Sequence, residues 1–260
     1  METGLDSRAT SIHLLVADDP GPAIVFNPGA ASPFLLLGDH AGRTIPSTLG
    51  RLGLTDAQLN LHIALDIGIE GLGVALSGLL NATFIHQRYS RLVIDCNRRP
   101  GAVGSIAVVS DGVVIPGNAD LLPQQAQARL DEIYQPYQDQ IAAALDDRAD
   151  RPPVLVSLHS FTPSMRGKDR PWRVGVLHRG DSPFSMAFLA LARAQLGEAV
   201  GDNQPYAMDG TDNTIPLHVD PRGLDYLELE VRQDLLADTA SQQEIALWLA
   251  PLLIAALDPA

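Results

Sequence analysis

Two short apolar runs, each stopping at a histidine, narrow the fold before anything else in this sequence does. One reads Leu35-Leu36-Leu37-Gly38-Asp39-His40, the other Val154-Leu155-Val156-Ser157-Leu158-His159-Ser160. Both have the composition of buried strands, and in an open α/β sheet ligands bind in the crevice beyond the strand carboxyl ends. Two imidazoles delivered to such a crevice are what a metal site requires.

The rest of the chain alternates strand and helix signals around these runs. A strand over 34–38 leads into a Gly- and Pro-containing loop through Pro46. Thr55 with Gln58 three residues on forms a capping-box pattern, and Leu59, His62, Ile63, Asp66 and Ile67 share one face of the helix predicted to follow. Asp66 thereby rides on an apolar stripe. Next come a helix over 71–80, short strands at 82–85 and 92–95, and a loop excursion over 100–116. A long helix over 124–147 is opened by Pro123 and bent near Pro136. Strands at 154–158, 173–177 and 227–231 and helices at 184–196 and 242–257 complete the pattern. Such alternation builds parallel sheets, so the predicted fold is a three-layer α/β/α sandwich around a mixed, largely parallel sheet. With no repeat, low-complexity tract or linker, residues 1–260 are expected to form one domain.

Bulk properties exclude several partners. A formal charge of -13 repels phosphate backbones and argues against a nucleic acid. No apolar run approaches the roughly 20 residues needed to span a bilayer, and the first six residues lack the basic-then-apolar layout of a signal peptide. The expectation is a cytoplasmic protein acting on a small molecule; nothing in the sequence fixes an oligomeric state. The single Cys96 excludes an internal disulfide and, among apolar neighbours, reads as a packed thiol.

Five of the seven histidines, His40, His62, His159, His178 and His218, fall near predicted element ends or on helical faces. A single histidine is more often a hydrogen-bonded structural group than a ligand; strand-end placement lifts His40 and His159 above that background. Asp39, Asp66, Asp95, Glu228 and Glu230 all lie in apolar surroundings, where a charge demands a cation, a metal or a fan of donors. In Tyr226-Leu227-Glu228-Leu229-Glu230-Val231-Arg232 the alternation puts Glu228, Glu230 and Arg232 on one strand face. A solvated face with a Glu-Arg pair explains that alternation as well as a catalytic glutamate does.

Three of these motifs together resemble the zinc carboxypeptidases and their acylase relatives, the aspartoacylases: His159-Ser160 at a strand end, Asn97-Arg98, and Glu230-Val231-Arg232. Longer stretches are similar to the N-formylglutamate amidohydrolases. They are Asp39-His40-Ala41-Gly42 with Ile45-Pro46, His62-Ile63-Ala64 with Asp66-Ile67-Gly68, the segment from Tyr89 through Asp95-Cys96-Asn97-Arg98, and the segment from Leu227 to Leu235. The likeness spans about residues 33–256. It implies a zinc ion held by His40 and His159, Glu230 as the group that takes and passes protons, and Asn97 and Arg98 as a clamp on a substrate carboxylate. It also implies an arginine facing the oxyanion, Arg91, with Arg88 in reserve. Asn203 with Tyr206 reads as a substrate-side loop and His218 as a further substrate contact; a polar turn and simple packing account for them almost equally.

At one point the pattern departs. The carboxypeptidases place a glutamate ligand three residues after the first histidine, and here that position is Arg43, which cannot ligate zinc. The third ligand is then Asp66, since an uncompensated carboxylate on a buried face is costly, or Asp39, which could instead orient His40. The implied activity is that of a metal-dependent amidohydrolase cleaving the N-acyl amide of an N-acyl amino acid, with N-formyl-L-glutamate giving formate and L-glutamate as the first expectation. Its rival on the same scaffold is a hydrolase of another N-acyl amino acid or of a small carboxylated amide or peptide. The reading from another class, motivated by Arg43, is a metal-free carboxylate-binding module.

Overall fold

Seven strands form the central sheet: β1 (Ala23–Phe26), β2 (Phe34–Gly38), β3 (Thr83–Gln87), β4 (Val154–Phe161), β5 (Val174–Leu177), β6 (Val200–Asp202) and β7 (Tyr226–Arg232). The structure, a computed structural model, describes residues 13–258, so the segment read above for a leader lies outside the described residues. The sheet order is β1-β3-β2-β4-β7-β5-β6. Strands β3, β2, β4 and β7 run parallel, β1 is antiparallel to β3, and β5 with β6 runs antiparallel to β7. The expected mixed, largely parallel sheet is present.

Alternate residues of these strands go to opposite faces, and both faces are covered. Leu36, Val156, Leu158, Leu227, Leu229 and Val231 pack in one core with Leu72, Phe188 and Leu249. These belong to helices α2 (Ile69–Leu80), α5 (Pro183–Leu196) and α7 (Thr239–Ala255). Leu35, Leu37, Ile85, Leu155 and Tyr226 pack in a second core with Ile141 and Ile215. That face is covered by α3 (Pro123–Arg129), α4 (Gln135–Asp146) and α6 (Thr214–Val219). Three layers result, as the sequence pattern predicts.

Local chemistry sets the helix ends. Ser182 accepts the Ser185 N–H and Asp238 accepts the Ser241 N–H, the capping bonds that start α5 and α7. A π-helical turn, Leu130–Tyr134, joins α3 to α4 just before Pro136. Its wider spacing accommodates a residue that can donate no backbone hydrogen bond, so the predicted bend becomes a bulge in one long helix.

Two expectations fail, and both failures bear on the site. The helix predicted through Asp66 ends after one turn, α1 (Asp56–Leu59). The chain then folds back, and the Asp66 N–H donates to the His40 carbonyl at 2.8 Å. Asp66 therefore lies in a loop tied to the end of β2, and Gly68, at φ 83°, turns that loop into α2. The strand predicted over 92–95 is instead a series of turns. Both edges of β3 are already taken by β1 and β2, so this segment pairs with loops: Ser90 N with Thr44 O at 2.9 Å and Asp95 N with Ser105 O at 2.7 Å. Strands β1 and β6, helix α6 and two short hairpins, Val109–Ser110 with Val113–Val114 and Ser164–Met165 with Lys168–Asp169, carry too little periodicity to have been predicted.

Candidate metal and substrate site

Strand β2 has β3 on one side and β4 on the other, so the chain order reverses between β2 and β4, the position where open α/β sheets bind ligands. His40 follows the end of β2. His159 lies on β4, and Glu230 on β7 is its register partner, one strand spacing (about 4.8 Å) away. All three side chains are nine-tenths or more buried. Residues separated by more than a hundred positions are thus brought together by two neighbouring parallel pairings.

Asp66 joins them from the loop before α2. Its Oδ2 lies 2.9 Å from His159 Nδ1 and 3.5 Å from His40 Nδ1, and it accepts the Ser160 N–H at 3.3 Å. Potential ligand atoms of His40, Asp66 and His159 all lie within 4.8 Å of one another. Asp95 holds the other side of the His40 ring at 2.7 Å from Nε2. His159 Nε2 has Ser157 Oγ at 3.1 Å and Asp39 Oδ2 at 3.8 Å. Asp39 therefore backs His159, not His40, and Asp66 takes the place between the histidines.

A divalent metal fits this group. His40 Nδ1 is fully buried and has no hydrogen-bond partner among the described residues, and a buried ring nitrogen left in that state is costly unless something binds it. Two imidazoles with a carboxylate, each imidazole held from behind by a second polar group, form a donor set that suits zinc. Arg43 does not interfere: it is exposed and reaches Asn60 Oδ1 at 3.5 Å.

The charges are mutually dependent. Burial alone would push the Asp66 and Asp95 carboxyls up, but cationic partners outweigh it, His40 with His159 for Asp66 and Arg91 with His40 for Asp95, and both are held below the usual range. Burial likewise would lower His159, yet the Asp66 hydrogen bond and charge raise it. In Glu228 and Glu230 burial dominates, and both carboxyls are pushed well up. Glu230 lines the cavity, and its Oε2 has no hydrogen-bond partner among the described residues.

That cavity, about 350 Å³, is lined by His40, Asp66, His159, Glu230, Arg91, Asn97 and Arg98 among others. Arg91 donates from Nη1 to Asp66 at 3.2 Å and from Nη2 to Asp95 at 2.7 Å. Arg88 is turned away and donates to the Gly21 carbonyl at 2.8 Å, so Arg91 is the arginine beside the histidines. Asn97 and Arg98 stand on a turn, not a strand end. Asn97 Oδ1 accepts the N–H groups of Asn213 and Thr214 at 3.0 and 2.9 Å, fixing the start of α6.

Two predicted substrate contacts do not reach the cavity. His218 is buried behind it with Nε2 2.7 Å from Gln138 Oε1, tying α6 to α4. Asn203 Oδ1 accepts the His178 N–H at 2.9 Å. Its neighbour Tyr206 does line the cavity. A Cβ on Gly175 would lie 2.0 Å from the Gln204 carbonyl oxygen, so only glycine lets that loop lie this close to β5. The turn carrying Asp209, Thr211 and Asp212 also lines the cavity and escaped sequence reading, since an Asp-rich turn looks like any solvated loop. His62, predicted on a helix, sits on a turn at the cavity 3.3 Å from Asp111. Arg232 leaves the face of Glu228 and Glu230 to pair with Asp234 at 2.8 Å, which removes the solvated Glu-Arg alternative. Cys96 is buried, receives the Gln87 amide at 3.2 Å, and its thiol is pushed up by burial. A larger cavity of about 540 Å³ opens beside residues 28–33 and Arg148, before β2 begins, and gathers no histidine or glutamate.

Among known proteins, the profile of the N-formylglutamate amidohydrolase family matches residues 32–237. The crystal structure of the gene product Atu2144 from Agrobacterium tumefaciens superposes with a TM-score of 0.90 at 37% identity, covering 94% of this chain and 98% of that one. The N-formylglutamate amidohydrolase from Ralstonia eutropha JMP134 superposes with a TM-score of 0.65 at 17% identity, covering 93% and 100%, a likeness of fold. An aspartoacylase family protein from Mesorhizobium loti reaches a TM-score of only 0.30 at 14% identity, covering 89% and 68%. No curated protein sequence matches. No helix among the described residues is long and apolar enough to cross a membrane. By the match across residues 32–237, the chain belongs to the N-formylglutamate amidohydrolase family.

Proposed function

We propose that this protein is a zinc-dependent amidohydrolase that cleaves the N-acyl amide of an N-acyl amino acid, with N-formyl-L-glutamate, the substrate in the family's name, as the first compound to test. The observation that carries the reading is the buried His40–Asp66–His159 group, with an unsatisfied His40 Nδ1, beside an unpaired Glu230 in register with His159. Zinc bound by these three residues would lower the pKa of its water to about 7 and polarise the amide carbonyl.

The chain's own residues supply the rest. Glu230, with its free Oε2 and a carboxyl pushed up by burial, takes the proton from the attacking water and delivers it to the leaving nitrogen. The C–N bond breaks, giving a carboxylic acid and a free amine. Arg91, held by Asp66 and Asp95, keeps a fixed positive charge at the cavity wall where the carbonyl oxygen becomes an oxyanion. Arg98 grips the substrate carboxylate through two parallel hydrogen bonds. A cavity of about 350 Å³ is at the small end for ligand sites and suits one acylated amino acid.

The test joins metal analysis of protein purified without chelators to a hydrolysis screen over N-formyl-, N-acetyl- and N-succinyl-glutamate and -aspartate with added Zn²⁺. Bound zinc and turnover of at least one compound are expected, with Glu230→Gln keeping the metal and losing about 10²- to 10⁴-fold in kcat. Protein that binds no zinc and hydrolyses nothing would rule the reading out.

A further inference from the structure

Arg91 reaches the histidine pair from a turn, residues 91–93, that belongs to no strand or helix. Backbone carbonyls in such a buried turn must find donors somewhere. Two side chains from outside the cavity supply them. Asn118 Nδ2 donates to the Leu92 and Ala107 carbonyls at 2.8 and 2.7 Å, and Arg129 Nη1 donates to the Val93 carbonyl at 2.8 Å. Arg129 also donates from Nη1 to Asn118 Oδ1 at 2.7 Å and from Nη2 to the Gly117 carbonyl at 3.2 Å. Neither Asn118 nor Arg129 lines the cavity.

Arg129 is a costly way to satisfy a turn. It is 1% exposed, its three acceptors are neutral amide oxygens, and its Nε has no partner among the described residues. Burial lowers its pKa to about 10, so the charge persists at neutral pH with no carboxylate bonded to it. A buried cation without a counterion costs stability that a well-packed apolar side chain would not. What the guanidinium adds is geometry, since its planar fork holds carbonyls of two separate segments, and the Asn118 amide, at fixed spacing. The residues after the turn are held by other groups. The Asp95 N–H donates to the Ser105 carbonyl at 2.7 Å, the Cys96 carbonyl accepts Gln138 Nε2 at 2.9 Å, and Asn97 is bonded to the start of α6. The fork therefore acts on the turn that carries Arg91, while Asn97 and Arg98 have anchors of their own.

We propose that Arg129, outside the cavity, is a positioning residue for Arg91, its fork and the Asn118 amide fixing the turn from which the Arg91 guanidinium reaches Asp66 and Asp95. This rests on the reading of Arg91 as the cation facing the oxyanion and extends it to a residue that touches neither metal nor substrate. Loss of the fork lowers kcat through Arg91 and leaves the metal ligands and Arg98 in place. Misplacing a charge aimed at a transition state by about 1 Å costs up to about 100-fold in rate.

Arg129→Met tests it on three readouts from the full-length, zinc-supplied protein. With the best compound of the hydrolysis screen, kcat should fall about 10- to 100-fold while KM and zinc affinity stay within about 3-fold of wild type. Amide hydrogen exchange, which needs no turnover, should speed up about 10-fold over residues 90–94, where the Leu92 and Val93 N–H groups are bonded to Ser90, and stay unchanged in β4. Leu249→Ala, a cavity in the core on the other side of the sheet, lowers stability without touching the turn and should leave kcat at the wild-type value. If Arg129→Met does not fold, Arg129→Lys, which keeps the charge and loses the fork, should show the same split at smaller size. An unchanged kcat, a KM that rises as much as kcat falls, or exchange that rises equally in β4 overturns the inference. If wild type hydrolyses nothing, the hydrolytic reading falls; faster exchange confined to 90–94 then still supports the placement, and unchanged exchange overturns it.

Discussion

His40 Nε2 lies 2.7 Å from Asp95 Oδ1, and this contact leaves Nδ1 as the ring nitrogen without a hydrogen-bond partner among the described residues. With Nε2 engaged, Nδ1 is the atom turned toward Asp66. Asp95 also holds Arg91, so one carboxylate orients the His40 ring and anchors the cation beside it. A group behind a ligating histidine fixes its ring orientation and raises its basicity.

Asp95→Asn should therefore weaken zinc binding by about 10- to 100-fold, although Asp95 would touch no metal. Competition against a chromophoric chelator measures this directly. Unchanged zinc affinity would show that Asp95 serves Arg91 alone.

His159 and Arg98 should fail in different ways. His159→Ala removes a ligand, so metal content and rate should drop together. Arg98→Ala should leave zinc occupancy intact and raise KM, by roughly 10- to 100-fold for the loss of a bidentate charged contact of about 1.5–3 kcal/mol. Equal zinc content in the two purified variants contradicts the assignment.

His218 is expected to serve stability and not chemistry. Burial, then the Arg222 charge, lowers its pKa to about 4, against 6.5 for an ordinary histidine. The unfolded chain therefore takes up a proton at this residue that the folded protein refuses. Its contribution is whole above pH 6.5 and is lost as pH falls toward 4, on the order of 3 kcal/mol across that window. Urea midpoints at pH 7.5 and pH 5 should differ less in His218→Gln than in wild type, and the variant should keep the wild-type KM. A raised KM would restore the substrate contact that its position behind the cavity denies.

Part of the site is legible because its signals are local. The fully buried strands β2 and β4 are read from unbroken apolar runs, and the histidines at or beyond their ends follow. Glu228 and Glu230 are read from alternation along β7, which survives folding because a strand's two faces are fixed by its pleat. Even Arg43 is informative, since its chemistry sends the search for a third ligand to Asp39 or Asp66.

The sequence by itself determined the long helices and the central strands, which face of each is apolar, and which side chains carry reactive groups, because those follow from spacings of two to four residues. Only the tertiary structure decided who meets whom. It put Asp66 in a loop bonded to the His40 carbonyl and not on a helical stripe, gave Asp39 to His159 and Asp95 to His40, turned His218 and Asn203 away, and brought the Asp209 to Asp212 turn over the cavity. These meetings span tens to more than a hundred residues. They are fixed by strand order, by loops whose backbone donors must be satisfied somewhere, and by the cost of burying a charge without a partner, none of which leaves a periodic trace in the chain.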